Sequence, residues 1–406
     1  LHGSSAASDV YKRQNKFWAM GGFGLDIVAQ SKRPSLSVRF NADLKPDFSG
    51  EYEFEIFSIG PSRLLIDGET IIDNWTSQDP GETFFAMGSA PRRGQYNFSK
   101  GSSYKLEVEY KWEGRFPAIQ IGMHAPDQFD LMQEAVDTAK DADAVILIVG
   151  TNSDWETEGN DRSSLALPSN QDELVQKICS ANNNTVVVLN TGSPCEMPWI
   201  DEANSILQCW FPGQEFGNSL SDILFGSVNP SGKLPTTFPK KLSDTPAYST
   251  YPGKDLQMDY EEGLFIGYRW YDRENIEPLF AFGHGLSYTN FEYSNLRAVP
   301  PKNESSVAAF ELEVINKGKL YGKEIVQGYI RVKESNIERP IKELKKFEKI
   351  GLEPGELKKI KFELSERDLS YWSEKDQCWK VEPAEYIFEV GSSAKEIKDS
   401  ASVWLG

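Results

Sequence analysis

The sequence predicts a multidomain protein in which two β-sandwiches flank a partial α/β sandwich with a parallel sheet. The chain has 406 residues, more than one compact domain usually holds. Alternating apolar and polar residues with frequent turn signals occupy both ends of the chain, as in antiparallel sandwiches. Between them, continuous apolar runs alternate with helical segments, which is typical of a parallel sheet covered by helices.

The first predicted sandwich covers residues 17–126. Alternation is clear at Glu51–Phe57 and Tyr104–Tyr110, and Asp67-Gly68 is one of several turn signals between such runs. Residues 1–16 have neither periodicity nor an apolar core, so we interpret them as a non-native or disordered tail. The lack of an initiating Met leads us to expect that the natural N-terminus is missing.

Residues 127–240 are predicted to form the partial α/β domain. Asp127 to Lys140 has helical spacing, and Asp143 to Val149 is a continuous apolar run that we expect to be buried on both faces. The pattern then repeats. Further helices are predicted near Asn170–Ser180 and Gln214–Leu224, and further strands at Thr185–Leu189 and Ser205–Trp210.

Residues 241–288 are rich in aromatic residues and predict an extended linker. From residue 289 to residue 406 the alternation returns and predicts a second sandwich of about seven strands. The clearest strand candidates are Phe310–Ile315, Lys358–Leu364 and Tyr386–Val390.

Composition excludes several function classes. The net charge of −18 argues against nucleic-acid binding, which needs a basic face. No apolar run has the length required to span a membrane. The four cysteines form no C-x-x-C pair and the three histidines are scattered, so we predict no metal site.

The most informative stretch is the loop Gly150–Arg162, which directly follows the predicted strand at 143–149. Ligands of α/β folds bind at loops that follow the carboxyl ends of such strands. The loop contains Trp155 and several carboxylates, and sugars are bound by aromatic stacking together with acids that bond hydroxyls or transfer protons. The alternative is an acidic, solvated loop without chemistry. Its four carboxylates are Asp154, Glu156, Glu158 and Asp161.

The segment Trp155-Glu-Thr-Glu158-Gly-Asn-Asp-Arg162 resembles the W-x-x-E-G-x-D-R segment that carries the general acid/base of glycoside hydrolase family 3. Residues 289–406 are similar to the fibronectin type III-like domain that closes many of these enzymes. Residues 17–126 look like the domain first described in anthrax protective antigen, which a subset of the family inserts. The supporting motifs are Arg63–Trp75, Phe211–Glu215, Asn229–Pro235, Glu262–Tyr268, Phe282–Tyr288 and Arg339–Leu344.

The resemblance implies a β-glucosidase that hydrolyses terminal non-reducing β-D-glucosyl residues with retention and without a cofactor. It makes Glu158 the general acid/base and a β-glucoside or oligosaccharide the substrate. Substrate contacts are expected from Trp155, Asp161 and Arg162, although a structural Asp161–Arg162 pair that braces the loop is favoured over sugar contact. Phe84 and Phe85 are the remaining candidates, either at the entrance of the site or as anchors of their own loop.

Two departures from the family pattern affect this interpretation. The N-terminal (β/α)8 barrel is absent, and with it the aspartate nucleophile, so we expect a C-terminal fragment that is inactive without its barrel. Ser153-Asp154-Trp155 copies the nucleophile tripeptide, but it lies in the acid/base loop. The alternative function is a non-catalytic carbohydrate-binding or adhesion protein. A secreted or cytoplasmic location and a glucosidase or xylosidase activity both fit the sequence.

Overall fold

The structure is a computed structural model that describes residues 17–20, 35–81, 83–113, 117–126, 130–152, 155–159 and 161–406. The chain divides into two compact units. The first contains the described residues up to Leu147 with 174–186 and 202–205, and the second contains 148–173, 187–201 and 206–406.

The first sandwich consists of two four-stranded sheets with the orders β1-β8-β3-β6 and β2-β7-β4-β5. All of its recorded strand pairs are antiparallel. The alternation seen in the sequence places Phe54 and Leu64 in the core between the sheets, where both are buried. The elements are β1 (Phe17–Met20), β2 (Ser35–Leu44), β3 (Gly50–Ile59), β4 (Ser62–Ile66), β5 (Glu69–Asn74), the one-turn helix α1 (Thr83–Ala86), β6 (Arg92–Phe98), β7 (Tyr104–Glu113) and β8 (Ala118–His124).

A three-stranded sheet with the order β11-β10-β9 follows in sequence. Its strands β9 and β10 are parallel, because the amides of Val145 and Thr151 donate to the carbonyls of Asn184 and Asn190, so the partners advance in the same direction. The predicted parallel sheet is therefore present. The elements are α2 (Leu131–Lys140), β9 (Val145–Gly150), α3 (Gln171–Ala181), β10 (Thr185–Asn190), β11 (Ser205–Gln208) and α4 (Phe216–Leu224).

Helix α2 begins later than the sequence predicts. The Asp130 carboxylate accepts a hydrogen bond from the amide of Gln133 and caps the helix, so its first helical residue is Leu131. The predicted start at Asp127 lies outside the described residues. The helix buries Ala135, Val136 and Ala139 on one face.

The prediction that the first apolar strand is buried on both faces is wrong. Along β9, Leu147 and Val149 are 4% exposed, whereas Ile146 and Ile148 are 50% and 49% exposed. Strand β9 is the last strand of its sheet. An unbroken apolar run does not reveal which face of a strand is covered, and here only one face is.

Residues 241–288 are less extended than the sequence suggests. They contain a 3₁₀ turn at Leu242–Asp244 and the helix α5 (Tyr268–Arg273). Tyr268 is buried in a cluster with Tyr329 and Ala394, and its hydroxyl accepts a hydrogen bond from the amide of Leu344. The predicted linker is thus packed onto the domain that follows it.

The C-terminal sandwich has one sheet with the order β12-β13-β16 and a second with the order β15-β14-β19-β20. Phe310 of β13 stacks on Phe388 of β19 with ring centroids 4.5 Å apart, so the two sheets meet at this pair. The elements are β12 (Phe291–Val299), β13 (Ser306–Asn316), β14 (Gly322–Val332), β15 (Glu343–Leu352), β16 (Leu357–Ser365), α6 (Glu366–Leu369), the hairpin of β17 (Tyr371–Ser373) and β18 (Cys378–Lys380), β19 (Ala384–Gly391) and β20 (Ile397–Leu405).

Candidate functional site

The acidic loop connects the end of β9 to the start of α3. Its two ends are joined by Gln171, whose side-chain amide donates to the carbonyl of Gly150 at 3.0 Å and accepts from the amide of Gly150 at 2.8 Å. Gln171 is buried. Because both atoms of one amide group are engaged by one residue, the base of the loop is closed with fixed geometry.

A second closure lies further along the loop and is centred on the Glu156 carboxylate. Its Oε1 accepts from the Thr151 hydroxyl at 2.8 Å, from the Ser193 hydroxyl at 3.2 Å and from Nη1 of Arg162 at 3.4 Å. The same Arg162 nitrogen donates to Ser193 at 2.7 Å. The Glu156 and Arg162 side chains are 14% and 13% exposed, so this ion pair is shielded from water.

Glu158 lies in the turn between these two paired residues. Its side chain is exposed, unlike that of Glu156. The turn continues through Gly159, whose φ of +84° is a left-handed conformation that a residue with a Cβ adopts only at a cost. Gly159 thus permits a sharp turn of the backbone beside Glu158.

Asp161 and Arg162 do not form the pair that we expected. Arg162 pairs with Glu156, and Asp161 is exposed and accepts a hydrogen bond from the hydroxyl of Tyr251. That hydrogen bond, followed by some desolvation, raises the pKa of Tyr251. The sequence does not indicate which carboxylate of the loop turns inward, and among the three that the structure describes it is Glu156.

Two aromatic side chains lie on this part of the molecule. Trp155 is 40% exposed, and its amide donates to the carbonyl of Asn152. Phe211 is 51% exposed and approaches Gly192 so closely that a Cβ at that glycine would collide with both its ring and the Glu156 carboxylate. The glycine at position 192 is therefore required by the inward position of Glu156.

The chain beneath the loop is held by a partly buried carboxylate at the start of α3. Asp172 accepts from the indole nitrogen of Trp199 at 2.8 Å and from the amide of Leu167 at 3.1 Å. Burial raises the pKa of Asp172 although these donors oppose the shift, and burial also raises the pKa of the Cys195 thiol to about 12. A thiol with that pKa is not a nucleophile near neutral pH, so Cys195 is a packing residue.

The predicted aromatic residues of the inserted sandwich belong to the first unit, whereas Glu158 belongs to the second. Phe84 lies on α1 at a φ of +52° and packs on Phe57 with ring centroids 5.4 Å apart. Phe84 is half-buried, in keeping with the anchoring role considered from the sequence. The Phe85 side chain lies outside what the structure describes, as does Asp154.

Within the described ranges, no group of three or more His, Cys, Asp or Glu residues is arranged to hold a metal ion. In the same part of the chain, no helix is long and apolar enough to cross a membrane.

The arrangement presents the Glu158 carboxylate on a turn that hydrogen bonds of Gln171 and Glu156 hold in place. Glu158 is exposed, so its carboxylate is accessible from solvent, whereas Glu156 is engaged by its partners. Sequence reasoning selected Glu158 but missed the role of Glu156, although the spacing of Glu156 and Arg162 around Glu158 was visible. Thr151 and Ser193, the other partners of Glu156, could not have been found without the fold.

Three sequence families match successive parts of the chain. Residues 90–288 match the glycosyl hydrolase family 3 C-terminal domain, residues 324–394 match the fibronectin type III-like domain, and residues 28–121 match the PA14 domain. The loop with Glu158 lies inside the first match.

Several beta-glucosidases are similar to this chain over most of its length. A protein of Rhizobium radiobacter named beta-glucosidase is 37% identical over 379 residues, which cover 91% of this chain and 46% of that protein. The crystal structure of a beta-glucosidase from Kluyveromyces marxianus in complex with glucose has a TM-score of 0.82 at 36% identity, covering 92% of this chain and 45% of that one. A beta-glucosidase structure from Streptomyces venezuelae in complex with D-glucose has a TM-score of 0.69 at 31% identity, covering 92% and 47%. The chain thus spans about half the length of the relatives it matches.

Proposed function

Because the chain belongs to glycoside hydrolase family 3, we propose that it provides the acid/base half of a retaining β-glucosidase, with Glu158 as the general acid/base. The whole protein would hydrolyse terminal non-reducing β-D-glucosyl residues of a β-glucoside or oligosaccharide. The longer relatives that match this chain over nearly all of its length carry the name beta-glucosidase, and the two similar structures described above hold glucose.

The observation that supports this role most directly is the position of Glu158. It is an exposed carboxylate on a turn whose base is closed by Gln171 and whose sides are joined by Glu156 and Arg162. A general acid must meet the glycosidic oxygen within hydrogen-bond reach, and a closed turn holds it there without paying the entropy of ordering at each turnover. Glu156 is occupied by three donors and does not compete for the role.

A retaining mechanism needs a second carboxylate about 5 Å from the first, because one attacks the anomeric carbon while the other protonates the leaving oxygen. We propose that a barrel domain elsewhere in the whole protein supplies this nucleophile. The span of about half the length of the relatives supports this. The exposed face of β9 supports it as well, since Ile146 and Ile148 are apolar side chains that a further domain would cover.

The proposed substrate contacts divide into two groups. Trp155 is exposed beside the acid/base turn, and its ring would stack on a sugar. Arg162 is engaged with Glu156 and Ser193, so we assign it to support of the loop. Asp161 keeps an exposed carboxylate next to Tyr251 that is able to accept hydrogen bonds from sugar hydroxyls. Phe84 and Phe85 stay proposals for the entrance of the site.

The test is Glu158→Gln in the whole protein, assayed on an alkyl β-glucoside and on 2,4-dinitrophenyl β-glucoside. Proton donation matters only when the leaving oxygen is basic, so we expect a loss of about 10²–10⁴-fold in the glycosylation step for the alkyl substrate and little loss in that step for the dinitrophenyl substrate. Azide should restore dinitrophenyl glucoside turnover, because it replaces the water that needs a general base.

Glu134→Gln is the matched control, since Glu134 is an exposed carboxylate on α2. It should leave both rates unchanged. Equal losses on both substrates in Glu158→Gln, without azide rescue, would remove Glu158 from the role. A protein that binds oligosaccharides without any turnover would instead support a carbohydrate-binding function.

A further inference from the structure

We propose that Glu156 is a positioning residue for the hydrolysis, which fixes the turn that carries Glu158 by joining it to Arg162, Thr151 and Ser193. The inference rests on the proposed acid/base role of Glu158. It assigns a task to a carboxylate that sequence reasoning had left among the acidic residues of the loop.

The first step is the placement of the pair around Glu158. Glu156 precedes it by two positions and Arg162 follows it by four, so the ion pair closes the chain on either side of the acid/base. The amide of Glu156 is also fixed, because it donates to the carbonyl of Asn152 at 2.8 Å. Both the backbone and the side chain of Glu156 therefore hold the near end of the turn.

The second step is the connection of this pair to the sheet. Thr151 directly follows β9 and Ser193 follows β10, and both hydroxyls donate to Glu156 Oε1. Thr151 is itself joined to the end of β10, since its amide donates to the carbonyl of Asn190 at 3.2 Å. The Glu156 carboxylate thus joins the turn to residues that follow two adjacent parallel strands.

The third step is that Glu156 is not available for chemistry. One oxygen accepts from three donors, and the other lies against Gly192, where no space exists for a Cβ. A side chain that is 14% exposed and so engaged cannot reach a substrate without leaving its partners. Its effect on the reaction must pass through the position of Glu158.

The consequence is a specific kinetic signature. A catalytic group displaced by about 1 Å loses on the order of 10²-fold in rate. If the displaced group is the general acid, that loss falls on substrates with basic leaving groups. A loop that is merely destabilised would instead lower the rate for every substrate, because a smaller fraction of the protein would be competent.

The experiment compares Glu156→Ala with Glu158→Gln in the whole protein, on the alkyl and 2,4-dinitrophenyl β-glucosides. We expect kcat on the alkyl substrate to fall about 10–100-fold more than the glycosylation rate on the dinitrophenyl substrate. In the Glu158→Gln background, Glu156→Ala should add no further discrimination, since its effect acts through the residue already removed. Glu156→Gln, which keeps an acceptor oxygen at the same place, should recover part of the loss.

Thr151→Val provides a second measurement if Glu156→Ala does not fold. It removes one donor, keeps the ion pair with Arg162, and should give a smaller discrimination of the same sign. Equal losses on both substrates in the folded variants would overturn the positioning role. If Glu158→Gln lowers the rates on the alkyl and the dinitrophenyl substrate equally, the proposed function is wrong. If Glu158→Gln affects the alkyl substrate more but Thr151→Val and Glu156→Ala do not, only the positioning role of Glu156 is wrong.

Discussion

The C-terminal sandwich and the parallel-sheet region bury their apolar residues to very different extents. In the sandwich, Phe310 and Phe388 stack between the two sheets and both are fully buried. In the parallel-sheet region, Ile146 and Ile148 are about half exposed and Phe225 is 81% exposed. Helix α4, all of whose residues the structure describes, has no buried residue.

The difference arises from what covers each sheet. The two sheets of the sandwich cover one another, so each strand needs one apolar face and has one. Strand β9 has two apolar faces, of which one is covered in this chain. Apolar surface left exposed in this way marks a contact with another domain or protein. We therefore expect the parallel-sheet region, unlike the sandwich, to require a covering partner.

The largest effect that this comparison predicts is the inactivity of the 406-residue chain on its own. Glu158 without an opposing carboxylate cannot complete a retaining mechanism. We expect no turnover of an aryl β-glucoside above background at high protein concentration, while the whole protein is active. The measurement is product release by the purified chain beside the same molar amount of the whole protein.

A mixture provides the control for that prediction. Adding the remainder of the protein as a separate polypeptide should restore some activity if the exposed face of β9 is a contact for it. Turnover by the chain alone that disappears in Glu158→Gln would show that the parallel-sheet region is sufficient, and the contrast with the sandwich would lose its functional meaning.

The second prediction compares two phenylalanines, one from each region. Phe388→Ala removes a ring from a closed core and should lower the free energy of unfolding by about 3–5 kcal/mol. Phe225→Ala removes a ring that is 81% exposed and should change it by less than about 0.5 kcal/mol. Urea unfolding of both variants, followed by tryptophan fluorescence and circular dichroism, measures the difference. Similar losses in the two variants would contradict the burial contrast.

The same contrast explains how much of the fold could be predicted from the sequence. Alternation placed strands at Phe310–Ile315 and Tyr386–Val390, and the structure has β13 and β19 there, because a half-buried strand records its covered face in its sequence. The apolar run of β9 correctly predicted a parallel strand. It could not predict the exposed face, since an unbroken apolar run is the same whether one face of the strand or both faces are covered.

The site divides in a similar way. Glu158 was proposed from a local motif, and the neighbouring residue Gly159 of that motif has the left-handed conformation of the turn. Arg162 was predicted to pair with Asp161, but it pairs with Glu156. The sequence alone does not distinguish one carboxylate of this loop from another as the partner of Arg162. What distinguishes Glu156 is its contact with Thr151 and Ser193, and Ser193 lies 37 positions away along the chain.

The smallest expected effect concerns Ile148, whose exposed side chain faces away from the covered side of β9. Ile148→Thr keeps the β-branch that suits a strand and removes little buried area, so the free energy of unfolding of this chain should change by less than about 0.5 kcal/mol. In the whole protein the same substitution should cost more, about 1 kcal/mol or above, because a hydroxyl would replace an ethyl group in a covered interface. Leu147→Ala on the opposite face is the matched control, and it should destabilise the chain by about 2–5 kcal/mol in both contexts. Thermal and urea unfolding of the two variants in the chain and in the whole protein provides the comparison. If Ile148→Thr costs the same in both, the exposed face of β9 is free surface, and the parallel-sheet region needs no covering partner.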